Sequence, residues 1–174
     1  PTPDLAASLP TTLALTVNLG VPPLLFLSAL FGGYLYTASV LSAVYWLLVT
    51  GAAMAAYYLL YLFNFGLKKG VTRTPALGLA AGLLLFVSFV MSNVMGLLQR
   101  PGGWSAYFAN PGGTVLNLAD PAFLPRWLHF VTASLAVAGL FLAVTNARAA
   151  ARGEAAAQGK TRLGLAWFTR ATMV

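Results

Sequence analysis

The side chain with the widest chemical reach in this chain is its single histidine, His129, in the run Pro125-Arg126-Trp127-Leu128-His129-Phe130. Neutral imidazole is the commonest side-chain metal ligand and a frequent axial ligand of haem iron. His129 falls about one helical turn inside a long apolar segment. An ionisable group in such a segment is a functional candidate by default. Thr132, Ala133 and Ala136 continue its face at helical spacing. Small side chains there let a flat macrocycle lie against a helix, and equally let a second helix pack close. The competing reading of His129 is an interfacial side chain bonded to a lipid headgroup or a loop carbonyl.

A haem that only carries electrons takes a second axial ligand. Met91 and Met95, on another apolar segment, offer thioethers for that role. Methionine is also ordinary packing material. Asn93 lies between them, with an amide suited to a quinone headgroup. Ser88 and Ser92 nearby are suited to hydrogen bonds between helices. Arg126, three residues before His129, would meet a haem propionate through its planar guanidinium. Its alternative is to snorkel to the headgroups.

The missing residues exclude as much. The three acids are Asp4, Asp120 and Glu154, all outside the apolar segments. A proton relay across a membrane and paired-carboxylate catalysis both lack their groups. There is no cysteine, so disulfides, thiolate metal sites and haem attached through Cys-x-x-Cys-His are absent from this chain. Gly32-Gly33, Gly102-Gly103 and Gly112-Gly113 are doublets suited to turns, with no phosphate-binding pattern around them.

The elements that would position these groups are apolar helices. Of the 174 residues, 59% are hydrophobic and 7% charged, against about 25% charged in a soluble domain. Mean hydropathy is +0.80. Four runs are long enough to cross a hydrocarbon core that takes about 20 helical residues: about 11–31, 38–63, 75–98 and 125–147. The expected fold is all-α, an integral membrane bundle of four transmembrane helices over residues 1–147. It is expected to be part of a larger helical protein. Residues 148–174 are expected as a cytoplasmic tail, with Ala166 to Arg170 reading as the approach to a further helix. Pro22-Pro23 predicts a kink in the first span.

Charge sets an expected orientation. Lys68, Lys69 and Arg73 follow span two, and Arg148, Arg152, Lys160, Arg162 and Arg170 follow span four. These are eight of the ten cations, all at one end. The positive-inside rule places 64–74 and 148–174 in the cytoplasm and the loop 99–124 outside an inner membrane. This placement accounts for the net charge of +7 without nucleic acid. The outer loop, with Trp104, Tyr107 and Phe108, is either a connector with anchoring rings or a lid over a site at the outer face.

The order of features resembles the quinol-oxidising half of cytochrome bd oxidase subunit I. The residues that carry the resemblance are Asn18-Leu19-Gly20-Val21, the basic link Lys68-Lys69, Gln99-Arg100-Pro101, and Pro125 through Trp127-Leu128-His129. They extend over most of the chain, from Asn18 to Arg152. The resemblance implies that His129 is an axial ligand of a low-spin haem b near the outer face, beside a quinol site. It implies a second, methionine ligand from a later helix. The chain departs from the pattern too. It lacks the first helix with a histidine for an oxygen-reducing haem, and the glutamates of the early helices. The expected function is a cytochrome-b-like subunit carrying electrons between quinol and a redox partner, such as an external cytochrome, within a respiratory complex. Oxygen reduction is not assigned to it. The alternatives are a haem-free subunit that scaffolds a respiratory or photosynthetic assembly among lipid and other membrane subunits, and a transporter.

Overall fold

A computed structural model describes residues 3–71 and 74–173, and every regular element among them is helical. The helices are α1 (Pro3–Leu41), α2 (Ala43–Lys68), α3 (Thr74–Leu98), the short α4 (Ala106–Ala109), α5 (Phe123–Ala151) and α6 (Ala155–Thr172), with a 3-10 turn over Pro101–Gly103. Four of them, α1, α2, α3 and α5, are long and apolar enough to cross a membrane. Their outer faces explain why the solvent is lipid. Leu19 and Leu47 are each 74% exposed, and Phe26, Met54 and Val137 are exposed with them. In water each such side chain would forfeit roughly 1.5–3 kcal/mol of burial energy. In hydrocarbon there is nothing to forfeit. The chain is a multi-pass membrane protein with an all-α architecture.

Two boundaries differ from the sequence expectation. The first helix runs on to Leu41 across a break at Phe31, and α2 opens at Ala43 after Ser42, so Ala38 to Leu41 belong to α1 and do not open α2. Gly32 and Gly33 stay in the helical region, because an apolar helix in lipid has no better use for its backbone groups than its own hydrogen bonds. Ser42 is buried and its Oγ–H donates to the Ala38 carbonyl at 3.1 Å. The dihedrals also remain helical through Pro22 and Pro23; the departure inside α1 is at Phe31 (φ −128°, ψ 30°). A 39-residue helix would be about 58 Å long if straight, well beyond a core of about 30 Å.

The chain divides into two compact units, Pro1–Phe123 and Leu124–Val174. In the first, α2 runs antiparallel to both α1 and α3 around two core clusters. One joins Leu35, Ala38 and Leu41 of α1 to Val94 and Leu97 of α3, with Trp46 of α2 against them. The other joins Ala56 and Leu60 of α2 to Ala80 of α3, with Leu9 and Leu13 of α1 alongside. The pairing of early α1 with late α2 and early α3, and of late α1 with early α2 and late α3, is what makes the three helices alternate in direction. Lys68 and Lys69 therefore stand at the opposite end from the loop 99–122. Arg73, counted among the basic residues of that link, lies outside the described residues.

The second unit is a helical hairpin. Gly153, at φ +87°, turns the chain in a conformation that favours glycine. Arg152 and Glu154 form an exposed ion pair at 3.4 Å beside it. Residues 148–174, expected as a tail, hold the end of α5 and the whole of α6. Ala136, Gly139 and Ala143 of α5 and Ala157 and Gly164 of α6 are buried. A Cβ on Gly139 would stand 2.7 Å from the Gly164 oxygen and 2.8 Å from the Phe168 nitrogen; one on Gly164 would stand 2.7 Å from the Ala143 nitrogen. The two backbones touch, and the order of these contacts makes the helices antiparallel.

Candidate functional site

In the first unit, chemistry concentrates under the loop between α3 and α5. Asn93, fully buried on α3, accepts the Asn117 backbone N–H on Oδ1 at 2.7 Å, and its Nδ2 donates to the Val115 carbonyl at 3.4 Å. One turn later the absence of a side chain on Gly96 lets the loop settle: a Cβ there would meet Asn117 Nδ2 at 2.7 Å. The loop returns the service to the helix ends. Val115 N–H donates to the Leu41 carbonyl at 2.9 Å, and the Gly113 carbonyl accepts Val44 N–H at 3.1 Å. Those are backbone groups that helix termini leave unpaired. Gly113 does this at φ +69°, a conformation that favours glycine, where a Cβ would stand 3.0 Å from that of Ala43. Trp104 Nε1–H donates to the Leu97 carbonyl at the end of α3 at 3.0 Å, and its ring meets Tyr34 of α1 edge-on at 5.6 Å.

Asp120 gathers the rest of the loop. One carboxylate oxygen accepts the Ala122 backbone N–H at 3.1 Å and pairs with Arg100 at 3.0 Å; the other accepts Asn117 Nδ2 at 3.3 Å. The Asp120 side chain is only 8% exposed and that of Arg100 is 54%. A carboxylate just before the first turn of α5 also suits the positive end of the helix dipole. Beside this cluster lies a cleft of about 540 Å³, lined by apolar Leu97, Ala106, Val115 and Leu116 and by polar Arg100, Asn117 and Asp120. Every buried side-chain nitrogen and oxygen among the described residues has a partner.

Met91 and Met95 lie on α3 in this unit, both half-buried. Met95 packs against the cluster of Leu35, Leu41 and Leu97. Asn93, expected at a quinone headgroup, has its amide engaged by the loop backbone.

His129 and Arg126 belong to the hairpin unit. His129 is exposed on the second turn of α5, its ring 6.3 Å from that of Phe130, and Arg126 is half-buried one turn before it. Thr132 Oγ1–H donates to the Leu128 and His129 carbonyls, each at 3.0 Å, which holds that turn of backbone without touching the imidazole. The small-residue face beyond His129 is used from Ala136 onward by α6.

No protein-family model matches the chain, and no curated protein or solved structure does.

The five expected site residues thus fall into two groups: Met91, Asn93 and Met95 on α3, and Arg126 and His129 on α5. Sequence reasoning missed Asn117 and Asp120, whose roles depend on a loop closing over α3. The signal was present in Asp120-Pro121, an acceptor followed by a proline at the entrance to a helix.

Proposed function

We propose that this chain is a cytochrome-b-like subunit of a larger respiratory complex in the inner membrane, carrying electrons between a quinol and a redox partner. The observation that carries the proposal is the exposed imidazole of His129 inside the apolar run of α5. Ionisable groups in membrane spans ordinarily face a protein interior or a cavity. This one has no such enclosure in the hairpin, so its partner comes from outside the hairpin. Haem b would suit it, with the imidazole of His129 as the side chain that would hold the iron. A bound haem supplies one-electron transfer. The residues of this chain orient it. His129 would hold the iron, and Arg126, on the same helical face, would neutralise a propionate. Met95 is left to packing. The cleft beside Arg100 and Asp120 has the volume and the mixture of apolar floor and few polar groups that a quinone ring requires.

The resemblance to cytochrome bd oxidase subunit I supports this reading, and the positive-inside rule supports the matching orientation, with the loop 99–122 outside. The test is a reduced-minus-oxidised spectrum of the purified complex. His129→Ala at unchanged protein level should abolish one b-type absorbance; a spectrum that survives intact removes the haem assignment.

The second reading, a haem-free scaffold subunit, is favoured by the internal pairing of the buried side-chain polar groups among the described residues. It requires that deletion of the chain disperses the complex while every cofactor stays with the remaining subunits.

A further inference from the structure

The geometry points to α6 entering the membrane beside α5 and docking, through the face that carries Arg162 and Arg170, on a carboxylate held by a transmembrane helix of a partner subunit. The register of the hairpin sets the depth. Gln158 Nε2 donates to the Ala150 carbonyl at 3.4 Å, so α6 begins level with the basic end of α5. Phe168 lies against Gly139, so Arg170, two residues further, stands level with the residues just before Gly139. That is the middle of α5, which runs Phe123–Ala151. In a core of about 30 Å, a group at the middle is about 15 Å from either interface, beyond the reach of its own stem.

Direction follows from helical geometry. At 100° per residue, Arg162 lies about 160° and Arg170 about 120° around α6 from Gly164, which faces α5. Both side chains are exposed. The hairpin offers them nothing: its one acid, Glu154, pairs with Arg152 at the turn, and neither α5 nor α6 contains an acid. With Gly164 against Ala143, Arg162 stands near the basic end of α5, within reach of the interface, whereas the guanidinium of Arg170 at mid-core is costly alone and is found paired. Lipid phosphates lie at the interface, so the complement has to be an anion fixed within the core. A helix-borne Asp or Glu supplies that, and its carboxylate accepts the guanidinium fork with two parallel hydrogen bonds. Leu163 and Trp167, exposed on the same flank as Arg170, provide the apolar surround of such a contact. The inference is independent of His129 and of any haem.

The chain lacks cysteine, which makes the depth measurable with single replacements in the assembled complex in native membranes. Thr169→Cys, on the outer face of α6, should react with a water-soluble maleimide at least about ten-fold more slowly than Gly159→Cys near the turn, when the basic side of the membrane is accessible. Equal rates would mean that α6 lies in water or on the headgroups, which overturns the proposal. Arg170→Lys keeps the charge and introduces an amine that a hydrophobic carbodiimide joins to a neighbouring carboxylate. Mass spectrometry should find that amine linked to an Asp or Glu in a transmembrane segment of a second polypeptide. A link to a lipid carboxylate, or a protected position with no link at all, overturns the partner.

Discussion

Asn93 sits at the junction between a membrane helix and a loop that would otherwise have to hold itself. A buried amide has both a donor and an acceptor to place, and the loop offers Val115 C=O and Asn117 N–H at the right separation. Removing it leaves a backbone N–H without its partner, a loss of about 1–3 kcal/mol. Asn93→Ala should lower the melting temperature in detergent and expose the loop 99–122 to protease under conditions that leave the parent chain whole. An equally resistant loop would show that the clamp contributes nothing. The ion pair beside it is unequal. Asp120 is buried and holds three donors, whereas Arg100 keeps half its surface in solvent. Asp120→Ala should therefore destabilise more than Arg100→Ala, because the first frees several donors at once and the second removes one partner of a carboxylate that keeps two others.

At the scale of elements, the hairpin depends on what is missing from two side chains. Small residues on both helices let the backbones come into contact, so close approach carries the association. Gly164→Ala places a methyl group 2.7 Å from the Ala143 nitrogen and should cost about 1–3 kcal/mol through forced separation of the helices. Gly159→Ala, with nothing within 4 Å, should be neutral or stabilising by about 0.5–1 kcal/mol, since alanine suits a helix better. Thermal denaturation of the two variants decides the matter, and equal shifts would remove the special role of the seam. The small residues Thr132, Ala133 and Ala136 were visible along α5 as a face open to a helix or a flat ligand, but Gly139 and Ala143 beyond them were not singled out. Whether helix or ligand occupies that face depended on α6, whose polar composition hides its role in packing.

For the whole molecule, the alternation of α1, α2 and α3 forces the link after α2 and the loop after α3 to opposite ends. Lys69→Cys and Ala109→Cys should therefore label from opposite sides of the membrane, Ala109→Cys from outside in intact cells and Lys69→Cys only after permeabilisation. Labelling of both from one side would break the antiparallel arrangement. Reversed sides would keep the fold and invert the orientation taken from the cation count.

What the sequence determined by itself is the class: four uninterrupted apolar runs with all three acids outside them leave no soluble alternative, because lipid admits only backbone that bonds to itself. It also marked His129 and the residues of α3 as the polar exceptions in those runs. The tertiary structure decided where the chain reverses, which amide is committed to the loop, and that the last helix lies back along α5. Those outcomes rest on contacts between distant segments. Gly139 has no meaning without Gly164, nor Asn93 without Asn117, and no local pattern of residue types records which pairs will meet.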